Sequence, residues 1–337
     1  MTNPTETSSY GEPVLRRRSV ALTSFRRNLA AMVGVFIILT GVVLAAAAPW
    51  LTPYDPTITH NAFRGLPPLS EYQPDDFDLV RCHWLDTPLE ALGCRRFLLG
   101  SGISGADLYS QTVYGGRTSI LVALVASLVS LTIGIAYGTV AGYIGGRWDE
   151  LLMRLVDFLY ALPVFMVALG LQSFFQFSLF TREGWVLIVT EWNARLGGLL
   201  FLFIAIGAVN WVAMARMSRA LVHSAKRTEY VEAARAVGAS DGRILTRHVL
   251  PNIIGPLVIV ETLAIPGYIF LEATLSFLEL GVGPTGMSWG SMINAGYSAI
   301  RSNPHIILVP SIALSLLTLA FNFAGDGLRD AVDPRQR

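Results

Sequence analysis

The sequence predicts an all-α, polytopic membrane protein with six transmembrane helices. Three observations carry this. The 337 residues are 53% hydrophobic and only 15% charged, with a mean hydropathy of +0.51, a balance typical of chains solvated by lipid. Apolar runs of about 20 residues recur six times, each able to cross a hydrocarbon core of ~30 Å at ~1.5 Å per residue. With six spans, 17 of the 25 Lys and Arg residues fall on the N-terminal side of the membrane and 8 on the other, the bias expected when that side is cytoplasmic.

The first span, 29–50, carries no charge and follows Arg16, Arg17, Arg18, Arg26 and Arg27, which hold a cytoplasmic N-terminal segment, 1–28. Ala45 to Ala48 imitate a signal-peptidase site, but the long polar leader and full-length apolar run read as an uncleaved anchor. Residues 51–117 are polar and proline-rich and form an extracytoplasmic loop or subdomain. It holds the only two cysteines, Cys82 and Cys94, which fit one disulfide in an oxidising compartment. Closing that ring would add on the order of 3 kcal/mol to local stability. The competing reading is a metal site of Cys82, His83 and Cys94 with His60, although its spacing lacks a four-ligand pattern.

Residues 118–325 hold the remaining five spans. In the second, 119–143, Gly134, Gly138 and Gly142 fall on one face and permit close helix contact. Arg154 and Asp157, three apart at the start of the third span, are placed to pair, and Pro163 is expected to kink that span. Residues 181–195 make a short outer loop with Trp185 and Trp192 as interface aromatics, and the fourth span is 196–215. The fifth, from residue 253, contains Pro256, Pro266 and Gly267 as expected interruptions, and two glutamates. A carboxylate at membrane depth must find a partner, protonate or face water, so Glu261 is expected beside a translocation path, with Glu272 as a second path residue or a structural one. The sixth span, 306–324, leads to a cytoplasmic tail, 326–337.

Between the fourth and fifth spans lies a polar interval, 216–252. Thr228 is placed as an N-cap, Glu229 and Glu232 lie in a first helical turn where the dipole favours them, and Gly238 stands where a helix end needs positive φ. Tyr230, Ala233, Ala234 and Val237 recur at helical spacing as a small, weakly apolar face. A second helix starts at Ser240 and Asp241 and is expected to end before Pro251. Alanines admit another backbone closely, and charges fix register; the pattern is that of a docking helix.

Glu232-Ala233-Ala234, Gly238 after three residues, and His248-Val249-Leu250-Pro251 after nine more resemble the EAA loop of ABC importer permeases, in the form found in the dipeptide, oligopeptide and nickel group. The resemblance continues in Tyr114-Gly115-Gly116-Arg117-Thr118-Ser119, in Glu272 to Leu278, and in Gly325 to Pro334. It departs at Gly102 and Ala106, where relatives usually carry an aspartate and an arginine.

Membership would imply a type I importer permease fold. Glu232, Ala233, Ala234, Gly238, His248, Leu250 and Pro251 would couple to an ATPase. The expected partners are a second homologous permease, two cytoplasmic ATPase subunits, an extracytoplasmic solute-binding protein and the lipid bilayer of a bacterial or archaeal inner membrane. Peptides lead as substrates; nickel, opines, glycosides and antibiotic peptides travel through similar permeases.

The only lysine, Lys226, lacks a Walker A context, and no HExxH or G-x-S-x-G motif is present, so neither catalysis nor a cofactor or metal is expected. A net charge of +1 offers no bulk basic surface for nucleic acid. The rival function is a secondary transporter relaying protons or ions through Glu261 and Glu272.

Overall fold

Backbone amides in hydrocarbon must be satisfied within their own segment, and helices accordingly provide almost all the regular structure. A computed structural model describes residues 23–59, 61–71, 96–178, 184–282 and 286–332; His60, Cys82, His83 and Cys94 lie outside these residues. The helices are α1 (Leu29–Ala46), α2 (Ala48–Leu51), α3 (Leu108–Val129), α4 (Ile135–Ile144), α5 (Gly146–Tyr160), α6 (Val164–Ser178) and α7 (Gly184–Arg195). They continue with α8 (Leu199–Ala225), α9 (Glu229–Ala236), α10 (Asp241–Ile244), α11 (Leu250–Phe277), α12 (Trp289–Tyr297) and α13 (His305–Val332).

Among the described residues five spans are continuous: α1, Leu108–Ile144, α8, Asp241–Phe277 and α13. The pair α5 and α6, bent by 77°, has the length and composition of a sixth when taken as one broken span. The bend falls at Pro163, where the missing amide and the ring end the helix.

Several elements differ from the sequence reading. The second span is helical from Leu108, because Asp107 caps it by accepting from the Ser110 backbone N–H at 2.8 Å. Arg154 and Asp157 do not pair with each other: Arg154 binds Glu150 one turn back, and Asp157 binds Arg216 of α8 at 2.8 Å. Pro256 and Pro266 do not interrupt α11, which runs unbroken past both. Nor does Pro251 end a helix. A π-turn over Leu245–Val249 precedes it, with the Leu250 amide donating to the Leu245 carbonyl five residues back. That wider turn separates the proline ring from the carbonyl it would otherwise strike.

The core joins α3, α8, α11, α12 and α13 through Ile120, Val122, Ala126, Leu202, Ile206, Ile269, Leu275, Trp289 and Leu317. Trp289 lies on Gly115 and Gly116, and its indole N–H donates to the Thr112 carbonyl at 2.8 Å. The glycine ridge packs on α8: a Cβ on Gly134 would meet Met214 and the Trp211 carbonyl, one on Gly138 would overlap the Ala215 carbonyl, and one on Gly142 would meet the Arg219 backbone. Close approach of this kind replaces the hydrophobic drive that lipid does not supply. At the opposite end of the bundle Tyr54, Phe63 and Phe97 form a small aromatic core. It lies under β1 (Ser70–Glu71) and β2 (Arg96–Phe97), which pair antiparallel.

Gly138→Val should lower the thermal midpoint of the detergent-solubilised protein, with a cost of about 1–3 kcal/mol for overpacking. Gly170→Ala, whose added carbon meets nothing within 4 Å, should leave the midpoint unchanged. Equal midpoints for both variants would show that the α4–α8 contact is not tight.

Candidate functional site

The polar interval folds as a short bent rod on an apolar base. Val231 of α9, Ile244 of α10 and Val249 are fully buried with Val222 and Ala225 of α8 and Ile253 and Leu257 of α11. The first ten residues of the predicted interval, 216–225, are the C-terminal end of α8 rather than loop. Thr228 stands at the N-cap of α9, but its hydroxyl donates backwards to the Ala225 carbonyl at 2.6 Å and does not cap. Gly238, at φ +85°, ends α9, with its amide on the Arg235 carbonyl and the Ala239 amide on the Ala234 carbonyl, both at 3.0 Å. This paired closure is the Schellman arrangement, which needs the left-handed residue.

The outer side of the rod is left bare. Tyr230, Glu232, Ala233, Arg235, Ala236 and Val237 are exposed, Val237 at 87%, while Ala234 is half-buried. His248 and Leu250 are half-buried and Pro251 is exposed on the return to α11. The residues of the EAA pattern thus occupy one small element, with Glu232 and Ala233 on its free face and Leu250 in its base.

Polar contacts fix the rod to the bundle. The Tyr143 hydroxyl at the end of α4 donates to Asp241 at 2.7 Å. Lys226 donates to the Tyr143 carbonyl at 2.6 Å, capping the end of α4 where the dipole favours a cation, and its ammonium lies 5.1 Å from the Tyr143 ring centroid. About two turns back, Arg219 grips Asp149 of α5 through two nitrogens at 2.6 and 2.7 Å, and His223 lies 3.3 Å from the same carboxylate. Sequence reasoning missed this set. Its one local signal is the row Arg216, Arg219, His223 and Lys226 on a single face of α8; the acids that answer it are far away in the chain.

The two membrane glutamates are enclosed in helix contacts. Glu272, fully buried, accepts from Ser119 of α3 and from Ser276, both at 2.7 Å. Glu261 is 2% exposed and accepts from Ser130 at 2.9 Å, while Tyr268 donates to Ser130 at 3.3 Å; its second oxygen, Oε1, has no hydrogen-bond partner among the described residues. Ser130 opens the π-turn Ser130–Gly134 between α3 and α4. Hydroxyls therefore clasp both carboxylates between α11 and the second span. Where the outer loop meets α3, Asp107 is buried and keeps only Ser110 as partner for its Oδ2. Burial pushes its carboxyl up to about 6.

Comparison with known proteins gives a consistent set of matches. Residues 134–337 match the family described as binding-protein-dependent transport system inner membrane component, and residues 18–68 match the N-terminal transmembrane domain of oligopeptide transport permease C. The chain is 33% identical to the oligopeptide transport system permease protein OppC of Haemophilus influenzae, over 93% of this chain and 87% of that protein. It is 33% identical to the dipeptide transport system permease protein DppC of Bacillus subtilis, over 98% and 90%. It is 35% identical to the di/tripeptide transport system permease protein DppC of Pseudomonas aeruginosa, over 93% and 90%. Among solved structures, an inward-facing MetNI methionine ABC transporter matches with a TM-score of 0.51 and 19% identity, covering 67% of this chain and 98% of that one; that likeness concerns the fold.

Tyr143→Phe should free the rod from α4 at a cost of about 1 kcal/mol for a solvent-screened hydrogen bond. Hydrogen exchange would then quicken across 229–244 and stay unchanged in α13. For Asp107, a folded carboxyl at about 6 against an ordinary value of 3.8 means that folding favours the protonated form. Stability from this group is greatest below the ordinary value, falls as pH rises between the two, and is flat above, by on the order of 3 kcal/mol in all. Asp107→Asn, which keeps a capping oxygen, should therefore flatten the fall in thermal midpoint between pH 4 and pH 7; an unchanged slope would place the titration elsewhere.

Proposed function

Because the chain belongs to the family of binding-protein-dependent transport system inner membrane components, we propose that it carries peptides inward as a permease subunit of a bacterial ABC importer, driven through α9 and α10. The observation that carries the coupling role is the bare face of Tyr230, Ala233 and Val237 beside Glu232, mounted on the buried base of Val231, Ile244 and Val249. Val237, the C-cap residue of α9, is 87% exposed, and Tyr230 beside it is 41% exposed.

The assembly we infer has a second homologous permease, two ATPase subunits against the bent rods, and a solute-binding protein on the other side. The N-terminal segment, the rod and the C-terminal tail face the cytoplasm, in keeping with the one-sided distribution of arginines. Closure of the ATPases would draw the two rods together. The polar contacts at Tyr143, Lys226 and Asp149 would pass that displacement to α4 and α5 and rock the spans between inward-open and outward-open states. ATP hydrolysis belongs to the partners in this scheme.

Peptides are the cargo of this reading because the relatives above carry peptide names in three organisms. The rival secondary transporter loses support from the family match, and from the enclosure of Glu261 and Glu272 among serines and a tyrosine. Glu261 stays in the proposal as a clasp whose loosening could open a path between α3 and α11.

The test is site-directed crosslinking in the assembled complex. Cysteine at Ala233 or Val237 should capture the ATPase subunit with a short bifunctional reagent, in a yield that changes with ATP. Val237→Asp should cut ATP-driven peptide uptake at least tenfold while the amount of permease in the membrane stays constant. Capture of no nucleotide hydrolase from either position would end the coupling assignment.

A further inference from the structure

At the end of the bundle away from the rod, the outer loop, the start of α3 and the side of α12 enclose an open cavity of about 740 Å³. Its walls are mostly apolar, with Ile103, Leu108, Met287 and Met292 among them, and Arg64 is the one charged side chain among the described lining residues. A mostly apolar hollow of this size with a single charge is the usual form of a small-ligand site.

Arg64 is exposed and has no ion pair among the described residues. The stretches around Arg64 and Gly102 are held together: the Gly65 amide donates to the Gly102 carbonyl at 3.1 Å, and the Ser101 amide to the Leu66 carbonyl at 3.0 Å. A Cβ built on Gly102 would have Gln111 Oε1 at 3.2 Å, the Ala106 carbonyl at 3.8 Å and Ser104 Oγ at 4.0 Å. Gln111 and Ser104 both line the cavity, so a side chain at 102 would enter it. The backbone at Gly102 does not need glycine, since its φ lies outside the left-handed region. An aspartate there, as in the pattern this chain departs from, would put a carboxylate into the hollow that the turn at Arg64 also lines. Glycine leaves both the space and the guanidinium open.

We propose that this cavity binds a carboxylate joined to an apolar side chain, the chemistry of the C-terminal residue of a peptide, with Arg64 receiving the carboxylate and the methionine-lined wall the side chain. The cargo assignment rests on the peptide-import reading; the cavity's preference for an apolar acid does not. Arg64 gives two-pronged recognition of a carboxylate, and methionines accept side chains of varied shape.

The experiment uses the full transporter complex in lipid nanodiscs and two labelled probes, N-acetyl-leucine and its amide, measured by equilibrium dialysis. The free acid should bind at least tenfold more tightly than the amide. Arg64→Gln should abolish that preference. Gly102→Asp should abolish it as well, by supplying an internal partner for Arg64, whereas Gly102→Asn, of nearly equal volume, should retain it. Equal affinities for acid and amide in the unaltered complex would overturn the proposal. So would equal loss in the Asp and Asn variants, since the effect would then be steric. If the variants leave probe binding unchanged but weaken capture of the solute-binding protein, the cavity is a docking surface and the proposal fails. Tripeptide uptake into proteoliposomes, run in parallel, tests the import reading separately: absence of uptake would remove that reading and leave the probe result interpretable.

Discussion

The contact on which the rest depends is the close approach of the glycine face of α4 to α8. In lipid, burying leucine against leucine gains little over leaving it in the bilayer, so helices hold one another where backbones can come near. Gly134, Gly138 and Gly142 bring the α4 backbone onto Met214, Ala215 and Arg219. That register sets everything at the inner end. It places Lys226 over the last carbonyls of α4 and Tyr143 within reach of Asp241. It also leaves the Arg219 side chain free to turn to Asp149 of α5. A bulkier ridge would move α8 outwards, and the rod with it.

The same logic explains how so many helix-breaking residues are tolerated. Pro251 is preceded by a π-turn, and Pro256 and Pro266 sit within an unbroken α11, which is braced along its length by α3, α12 and α13. Pro163, in the break between α5 and α6, falls at the 77° bend. The second π-turn, Ser130–Gly134, aims a hydroxyl at Glu261, and Ser119 does the same for Glu272. Irregular backbone and buried carboxylates therefore meet at the interface between the second and fifth spans. While the two spans stay together, these hydroxyls give each carboxylate a partner away from lipid.

The two ends of the molecule are built on opposite principles. The rod end is a protrusion whose exposed side chains stand on a buried apolar base. The outer end is a hollow with one cation and apolar walls, suited to receive a small molecule. The spans between the two ends are tied by contacts that run the length of the bundle.

The sequence by itself determined the membrane class, the positions of the long apolar helices, the bent polar element with Gly238 at its turn, and the family. These properties follow from local quantities: apolar run length, the side on which arginines fall, and short spaced motifs. Pro163 was readable as a kink for the same reason. The Asp149–Arg219–His223 set, the exchange of partners by Arg154 and Asp157, the continuity of α11 through its prolines and the cavity beside Arg64 were decided only by tertiary structure. Each depends on which helix faces which across tens of residues of chain. A proline's effect is fixed by its neighbours in space, a charge's partner by the register of two packed helices, and a hollow by side chains that are missing from several elements at once.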